Sequence, residues 1–224
     1  LVHAHLYFVK KKNRLLDTPF EEEYQKWAFE LASNSVDCIQ KDEKIDKIYS
    51  KNNGKMKFDF QKNKVIFTHY GSPFTEEDLV SLLYQYGGMK DEDQSKIGRF
   101  GTGFLSTLVL SRVVQISGDL ISKEGKLSGF EVTIYREGNT TEELNKGIKK
   151  MEKSKKLNLP LKGKTEFKFI LPDVDSNLKK NSEEAYKKGF ESLKENIPPI
   201  LIFNSSIKEI TIQNKDERYT FSRI

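Results

Sequence analysis

The chain predicts an α+β domain, a two-layer α/β sandwich whose mixed, mostly antiparallel sheet carries its helices on one face. Three observations carry that expectation. Apolar and polar residues alternate in short runs, as at Phe130, Val132 and Ile134, which marks strands with one half-buried face. Other runs keep helical spacing, as at Trp27, Leu31, Ser35 and Cys38, a stripe suited to face a core. The 224 residues are enough for one substantial core, and no break in pattern divides residues 1–224 into more than a single domain.

The elements follow in order. Residues 5–9 read as an extended piece, residues 30–38 (ELASNSVDC) as an acidic helix, and residues 55–67 as a strand pair in which Val65 to Phe67 are buried. Gly71, Ser72 and Pro73 make a turn. Thr75 and Asp78 supply a capping-box start for a helix carrying Leu79, Leu82, Leu83 and Tyr86, which stops at Gly87 and Gly88. The polar stretch 89–96 then bridges, as a lid over a ligand, to Gly98, Gly101 and Gly103 and the apolar helical run Phe104, Leu105, Leu108, Val109 and Leu110. Strands are expected at 113–117, 129–136 and 165–171, with a lysine-rich loop or insert at 137–164, and a helix at about 182–196.

Two of these segments carry chemistry. Glu30, Asn34 and Asp37 sit at i, i+4 and i+7, so the first helix offers a carboxylate, an amide and a second carboxylate along one stripe. On that helix alone a solvated polar face explains them equally well. The glycine segment, residues 97–106 (IGRFGTGFLS), leads straight into a helix, which exposes backbone N–H groups beside the positive end of a helix dipole and suits phosphate. It is neither a P-loop, since no GxxxxGK[ST] occurs, nor the dinucleotide fingerprint, since the order is GxxGxG.

The order of these motifs resembles the GHKL superfamily, the Bergerat-fold ATPases that include gyrase-type topoisomerases, heat-shock protein 90-type chaperones, histidine kinases and MutL repair proteins. Glu30, Asn34 and Asp37 match an ExxxNxxD helix, residues 69–74 (HYGSPF) a DxGxG-type turn, and residues 97–104 (IGRFGTGF) a phosphate-cradling segment. Residues 162–171 (KGKTEFKFIL) look like a Gly-Thr strand with Thr165 near the base, and residues 198–212 (PPILIFNSSIKEITI) look like the leucine- and phenylalanine-rich strand and final hairpin of sacsin-like and heat-shock protein 90-like domains.

The resemblance implies ATP and Mg²⁺ as ligands and slow hydrolysis of ATP to ADP and phosphate. In that reading Glu30 activates water and Asn34 holds Mg²⁺. The segment Gly98, Arg99, Phe100, Gly101, Thr102, Gly103 and Phe104 wraps the phosphates, while Lys90, Lys96 or Arg99 adds charge. Asp37, His69, Gly71 and Thr165 surround the base. His69 stands where the family carries an aspartate, and a neutral imidazole keeps one acceptor nitrogen while its other nitrogen donates. The nucleotide state would drive conformational change in a larger, chaperone-like protein of which this is an N-terminal part, with its downstream domains and a nucleotide-dependent dimer as partners. The alternative is a degenerate, non-hydrolysing interaction module. A histidine kinase fits less well because such relatives lack the helix glutamate, and a topoisomerase or repair enzyme needs a transducer domain.

Composition narrows the classes further. The net charge of +5 arises from 38 basic against 33 acidic residues, and much of it lies at 146–164, where eight lysines face one glutamate. A solvated segment is the expected reading, because no aromatic residue interleaves those lysines and no nucleic-acid-binding signature accompanies them. Cys38 stands alone, which excludes an internal disulfide and fits a cytoplasmic protein. His3 and His5 form a weak metal pair at best. No run approaches the roughly twenty apolar residues of a membrane span.

Overall fold

A computed structural model describes residues 19–39, 52–84, 102–174 and 177–223. The helix α1 (Glu23–Ile39) is followed by the strands β1 (Lys55–Gln61), β2 (Lys64–His69) and β3 (Phe74–Thr75) and the helix α2 (Glu76–Tyr84). A short helix α3 (Thr102–Leu105) tightens into a 3₁₀ turn (Ser106–Val109) and leads to β4 (Val113–Ile121) and β5 (Leu127–Tyr135). Then come α4 (Thr141–Ser154), β6 (Lys156–Leu159), β7 (Thr165–Ile170), the long helix α5 (Asn177–Phe203), β8 (Glu209–Gln213) and β9 (Arg218–Ser222).

Among the described residues these strands form one open sheet in the order β6-β5-β4-β7-β2-β1-β8-β9, with β3 added alongside β4. The pairings β1/β8 and β3/β4 are parallel and the rest antiparallel, so the expected α+β class with a mixed, mostly antiparallel sheet is what the chain adopts. Strict alternation explains the layering. In β1 Met56, Phe58 and Phe60 are buried while Lys57 and Asp59 point the other way, and β7 repeats this with Phe167 and Phe169 against Glu166 and Lys168. The outer face carries ion pairs such as Lys164–Glu166 at 2.8 Å, partly exposed and worth little individually.

The helices α1 and α5 meet at Trp27. Its indole is fully buried, lies 6.0 Å from the Phe60 ring and 6.3 Å from Phe169, and its Nε1 donates to the Ala185 carbonyl of α5 at 3.0 Å. A large aromatic with its one polar atom satisfied thus joins α1, α5 and the sheet. From α5, Tyr186 donates to the Phe60 carbonyl at 2.9 Å, and Ser182 donates to the Leu110 carbonyl at 2.6 Å.

Two elements differ from the sequence expectation. The lysine-rich segment is not a loop, because Thr140 and Glu143 form a reciprocal capping box and Leu144 and Met151 are buried on one face of α4, leaving its lysines to solvent. Similarly, the leucine- and phenylalanine-rich piece after Asn196 is helix, not strand. α5 continues through Pro198 and Pro199 to Phe203, with Ile197, Ile200 and Leu201 buried at helical spacing. The Thr75–Asp78 capping box forms as expected, with Asp78 N–H donating to Thr75 Oγ1 at 3.0 Å and Thr75 N–H to Asp78 Oδ2 at 3.1 Å. The extended piece at 5–9, the helix end at 85–88 and the lid at 89–96 lie outside the described residues. No helix among those described is long and apolar enough to cross a membrane.

Close packing at Trp27 predicts one stability effect. A Cβ at Gly189 of α5 would lie 2.6 Å from Trp27 Cε2. Gly189→Ala is therefore expected to destabilise the fold by about 1–3 kcal/mol through overpacking, despite the helix propensity it gains, as measured by urea denaturation.

Candidate functional site

The candidate site lies where α1 crosses the end of β2. Leu31, Asn34, Ser35 and Cys38 of α1, Phe67 and His69 of β2, Phe104 of α3 and Phe167 of β7 line one narrow cleft whose enclosed space is about 10 Å³, room for about one water molecule. Three motifs that are far apart in the chain, the acidic helix, the HYGSPF stretch through its first residue His69, and the end of the glycine segment through Phe104, each contribute to the lining.

The floor is aromatic and its polar group is His69. This residue is 3% exposed, its ring lies 5.8 Å from Phe67 at an interplanar angle of 35° and 6.3 Å from Phe167 at 26°, and its Nδ1 has no hydrogen-bond partner among the described residues. Burial in these apolar surroundings pushes its pKa from 6.5 down to about 4, so the imidazole is neutral at physiological pH. A buried polar atom without a partner is uncommon and marks a place where a ligand or water would complete the set.

The neighbours of His69 hold it in place. Thr165, 2% exposed, stands opposite His69 in the β2/β7 ladder, and a Cβ at Gly118 of β4 would lie 3.1 Å from its Oγ1. At Gly71 a Cβ would fall 3.0 Å from the Cys38 carbonyl, and the adjacent Ser72 N–H donates to that same carbonyl at 3.0 Å. The glycine therefore lets the turn approach the end of α1 and satisfy one of its orphan carbonyls. Packing against the helix, rather than against a ligand ring, is what the structure gives as the reason for Gly71.

Glu30 lies one turn before Asn34 on α1. Its carboxylate is 3.7 Å from Lys26 Nζ in an i, i+4 pair, its side chain is 25% exposed, and it is not among the cleft-lining residues. Thr102 and Gly103 open α3, and Phe104 is buried against Phe167 at 5.8 Å. The Asp37 side chain, Lys90, Lys96, Gly98, Arg99, Phe100 and Gly101 lie outside the described residues, as do His3 and His5. Among the described residues no three His, Cys, Asp or Glu side chains cluster as a metal site.

Sequence reasoning missed two residues that shape the site. Arg136, 1% exposed, donates from Nη1 to Thr107 Oγ1 at 2.7 Å and from Nη2 to the Ser111 carbonyl at 2.6 Å, with its guanidinium 5.4 Å above the Phe104 ring. Thr107 in turn donates to the Phe104 carbonyl at 2.7 Å, so a buried cation fixes the turn that carries a cleft wall. Its position was readable, since 136 continues the inward phase of Phe130, Val132 and Ile134. Asp119, 2% exposed, accepts from the backbone N–H groups of Lys162 and Gly163, both at 2.7 Å, and so positions the loop that delivers Thr165. Nothing in the alternation of β4 points to it.

The chain was also compared with known proteins. No protein-family model and no curated protein matches it.

The buried imidazole gives the fold a pH signature. Below pH about 6.5 the unfolded chain takes up a proton on this side chain, whereas the folded chain does so only near pH 4. The stability due to the neutral buried form is complete above the upper value and lost as pH falls toward the lower one, by about 3 kcal/mol. Urea denaturation across that range should show the wild type losing this amount relative to His69→Gln, which has no such titration.

Proposed function

We propose that this domain binds Mg-ATP in the cleft between α1 and β2 and hydrolyses it slowly, in the manner of a GHKL-type ATPase with a Bergerat-like arrangement. The observation that carries the reading is the convergence of Asn34, His69 and Phe104, from three separate motifs, on one cleft with an aromatic floor. A flat heteroaromatic base suits walls made by Phe67, Phe104 and Phe167, once the narrow cleft opens to admit it, and His69 is a polar side chain among them. The glycine segment ends at the same cleft, where its backbone N–H groups would meet phosphates.

The residues fit a divalent ion in one respect. Asn34 offers a hard amide oxygen to Mg²⁺, which keeps several waters and takes phosphate oxygens as further ligands. The ion, when bound, would neutralise phosphate charge. Glu30, a turn away on α1 and paired with Lys26, would orient the attacking water and take its proton. The placement of Glu30 outside the lining favours a second reading, a nucleotide-gated module that binds without turnover. In either case the nucleotide would act through downstream domains and dimerisation, and a cytoplasmic, chaperone-like role is part of the proposal.

Calorimetric titration with a non-hydrolysable ATP analogue tests the first step, with saturable, Mg²⁺-dependent binding expected and absence of saturation at millimolar ligand overturning it. Glu30→Ala should leave that affinity within about threefold while removing Mg²⁺-dependent phosphate release, a loss on the order of a hundredfold or more for a general base. Turnover that persists in this variant would remove Glu30 from the mechanism, and a wild type that binds without turnover would establish the gated module.

A further inference from the structure

The sheet is open, and its two outermost described strands are built differently. On β6 the backbone is irregular: Asn158 takes a positive φ of 56°, and the pairing with β5 shifts register between Gly129 and Glu131. Pro160 follows the strand, and Lys155, Lys156 and Lys162 flank it. Bulges, proline and lysines are the means by which edge strands are kept from pairing with other chains. β9 has none of them. Its residues RYTFS pair with β8 in unbroken register, without proline, positive φ or lysine, and among the described residues nothing pairs with its outer side.

Hydrogen bonds to β8 fix which groups of β9 face outward. The Arg223 N–H donates to the Lys208 carbonyl, and the Glu217 carbonyl accepts from the Asn214 N–H, so the odd-numbered residues turn their backbone groups toward β8. By alternation Arg218, Thr220 and Ser222 turn theirs outward. The side chains divide in the same way. Tyr219 and Phe221 are half-buried against the core, while Arg218, Thr220 and Ser222 are exposed. At the end of the strand Arg223 donates to the Leu201 carbonyl of α5 at 3.1 Å, and the next two residues of that helix, Ile202 and Phe203, are exposed at 68% and 82%.

We propose that β9 is a self-pairing edge, on which a second copy of this chain docks antiparallel about a two-fold axis at Thr220. In that register Thr220 faces Thr220 of the second copy and Arg218 faces its Ser222, so every outward N–H and C=O of the strand finds a partner. On the helix side Tyr219 faces Phe221 of the second copy and Glu217 faces its Arg223. Aromatic pairs and opposite charges across strands both favour pairing, and no like charges meet. Sliding one copy by two residues, the smallest step that keeps the faces, sets an aromatic ring against Glu217 or Arg223 instead. The self-complementary pattern therefore selects one register. This edge lies outside the cleft, needs no nucleotide and stands independently of the nucleotide-binding reading.

Sedimentation velocity of the chain without nucleotide, across a concentration series, provides the test. The wild type should pass from monomer to dimer within the micromolar to millimolar range, as suits a small interface. Thr220→Pro removes an outward N–H and leaves the bonds of Tyr219 and Phe221 to β8 in place, at a position where an edge strand accepts proline. It should weaken the dimer by about a hundredfold or more with an unchanged far-ultraviolet circular dichroism spectrum. A second variant does not depend on proline being accommodated. Residues facing each other in such a hydrogen-bonded pair have Cα atoms about 5.5 Å apart, within reach of a disulfide. Thr220→Cys should therefore give a covalent dimer under mild oxidation, whereas Leu157→Cys on β6 should not. A wild type that stays monomeric at millimolar concentration, a dimer that persists in a folded Thr220→Pro, or crosslinking of Thr220→Cys no better than that of Leu157→Cys overturns the proposal.

Discussion

The seating of Trp27 is the contact on which the rest of the site depends. Because its indole is clasped between Phe60, Phe169 and the Ala185 carbonyl, α1 has one rotational setting on the sheet. Asn34 and Cys38, two and three turns further along, then face β2. Rotating the helix by one residue would swing them through about 100° and open the cleft to different side chains. Interiors pack too tightly to allow intermediate settings, so an apolar contact determines where a polar residue points.

Around this anchor, buried charges hold irregular backbone in place. Arg136 is spread over Thr107, Ser111 and the face of Phe104, and Asp119 takes two consecutive N–H groups of the loop before β7. Neither serves the hydrophobic core. Each fixes a segment that lacks the ladder bonds of a strand, Arg136 the turn that follows Phe104 and Asp119 the loop that enters β7. Carboxylate and guanidinium groups suit this work because charge-assisted bonds are stronger and more directional than neutral ones.

The sheet was legible wherever one face is buried, because period-two patterning survives in β1, β2, β5 and β7 without reference to anything distant. Helices were legible only where composition agreed with spacing. In α4 the inward positions Leu144 and Met151 are outnumbered by lysines, so average polarity hid the amphipathic stripe. In α5 the pair Pro198–Pro199 looked like a terminus, yet burial of Ile197, Ile200 and Leu201 on one stripe sustains the helix past two missing donors. Of the cleft lining, Asn34, His69 and Phe104 could be picked out because each sits in a short motif, whereas Thr165, opposite His69 in the ladder, is not among the lining residues. The inward position of Arg136 follows from the alternation, but its partners, the Thr107 hydroxyl and the Thr107 and Ser111 carbonyls, do not, and nothing local points to Asp119 and the two N–H groups it accepts from.

The position of β8 has a consequence for how the chain is made. It lies parallel to β1 although most of the chain separates them, so one edge of the first hairpin stays unpaired until residues beyond α5 have been synthesised. The residues that line the cleft, from Leu31 to Phe167, all leave the ribosome earlier. The nascent domain thus holds the parts of its binding site while presenting a bare strand edge with the run Met56, Phe58 and Phe60 beside it, a template for unwanted pairing with other chains. Protection of that edge during translation, rather than formation of the cleft, is the step at which this topology is most exposed to failure.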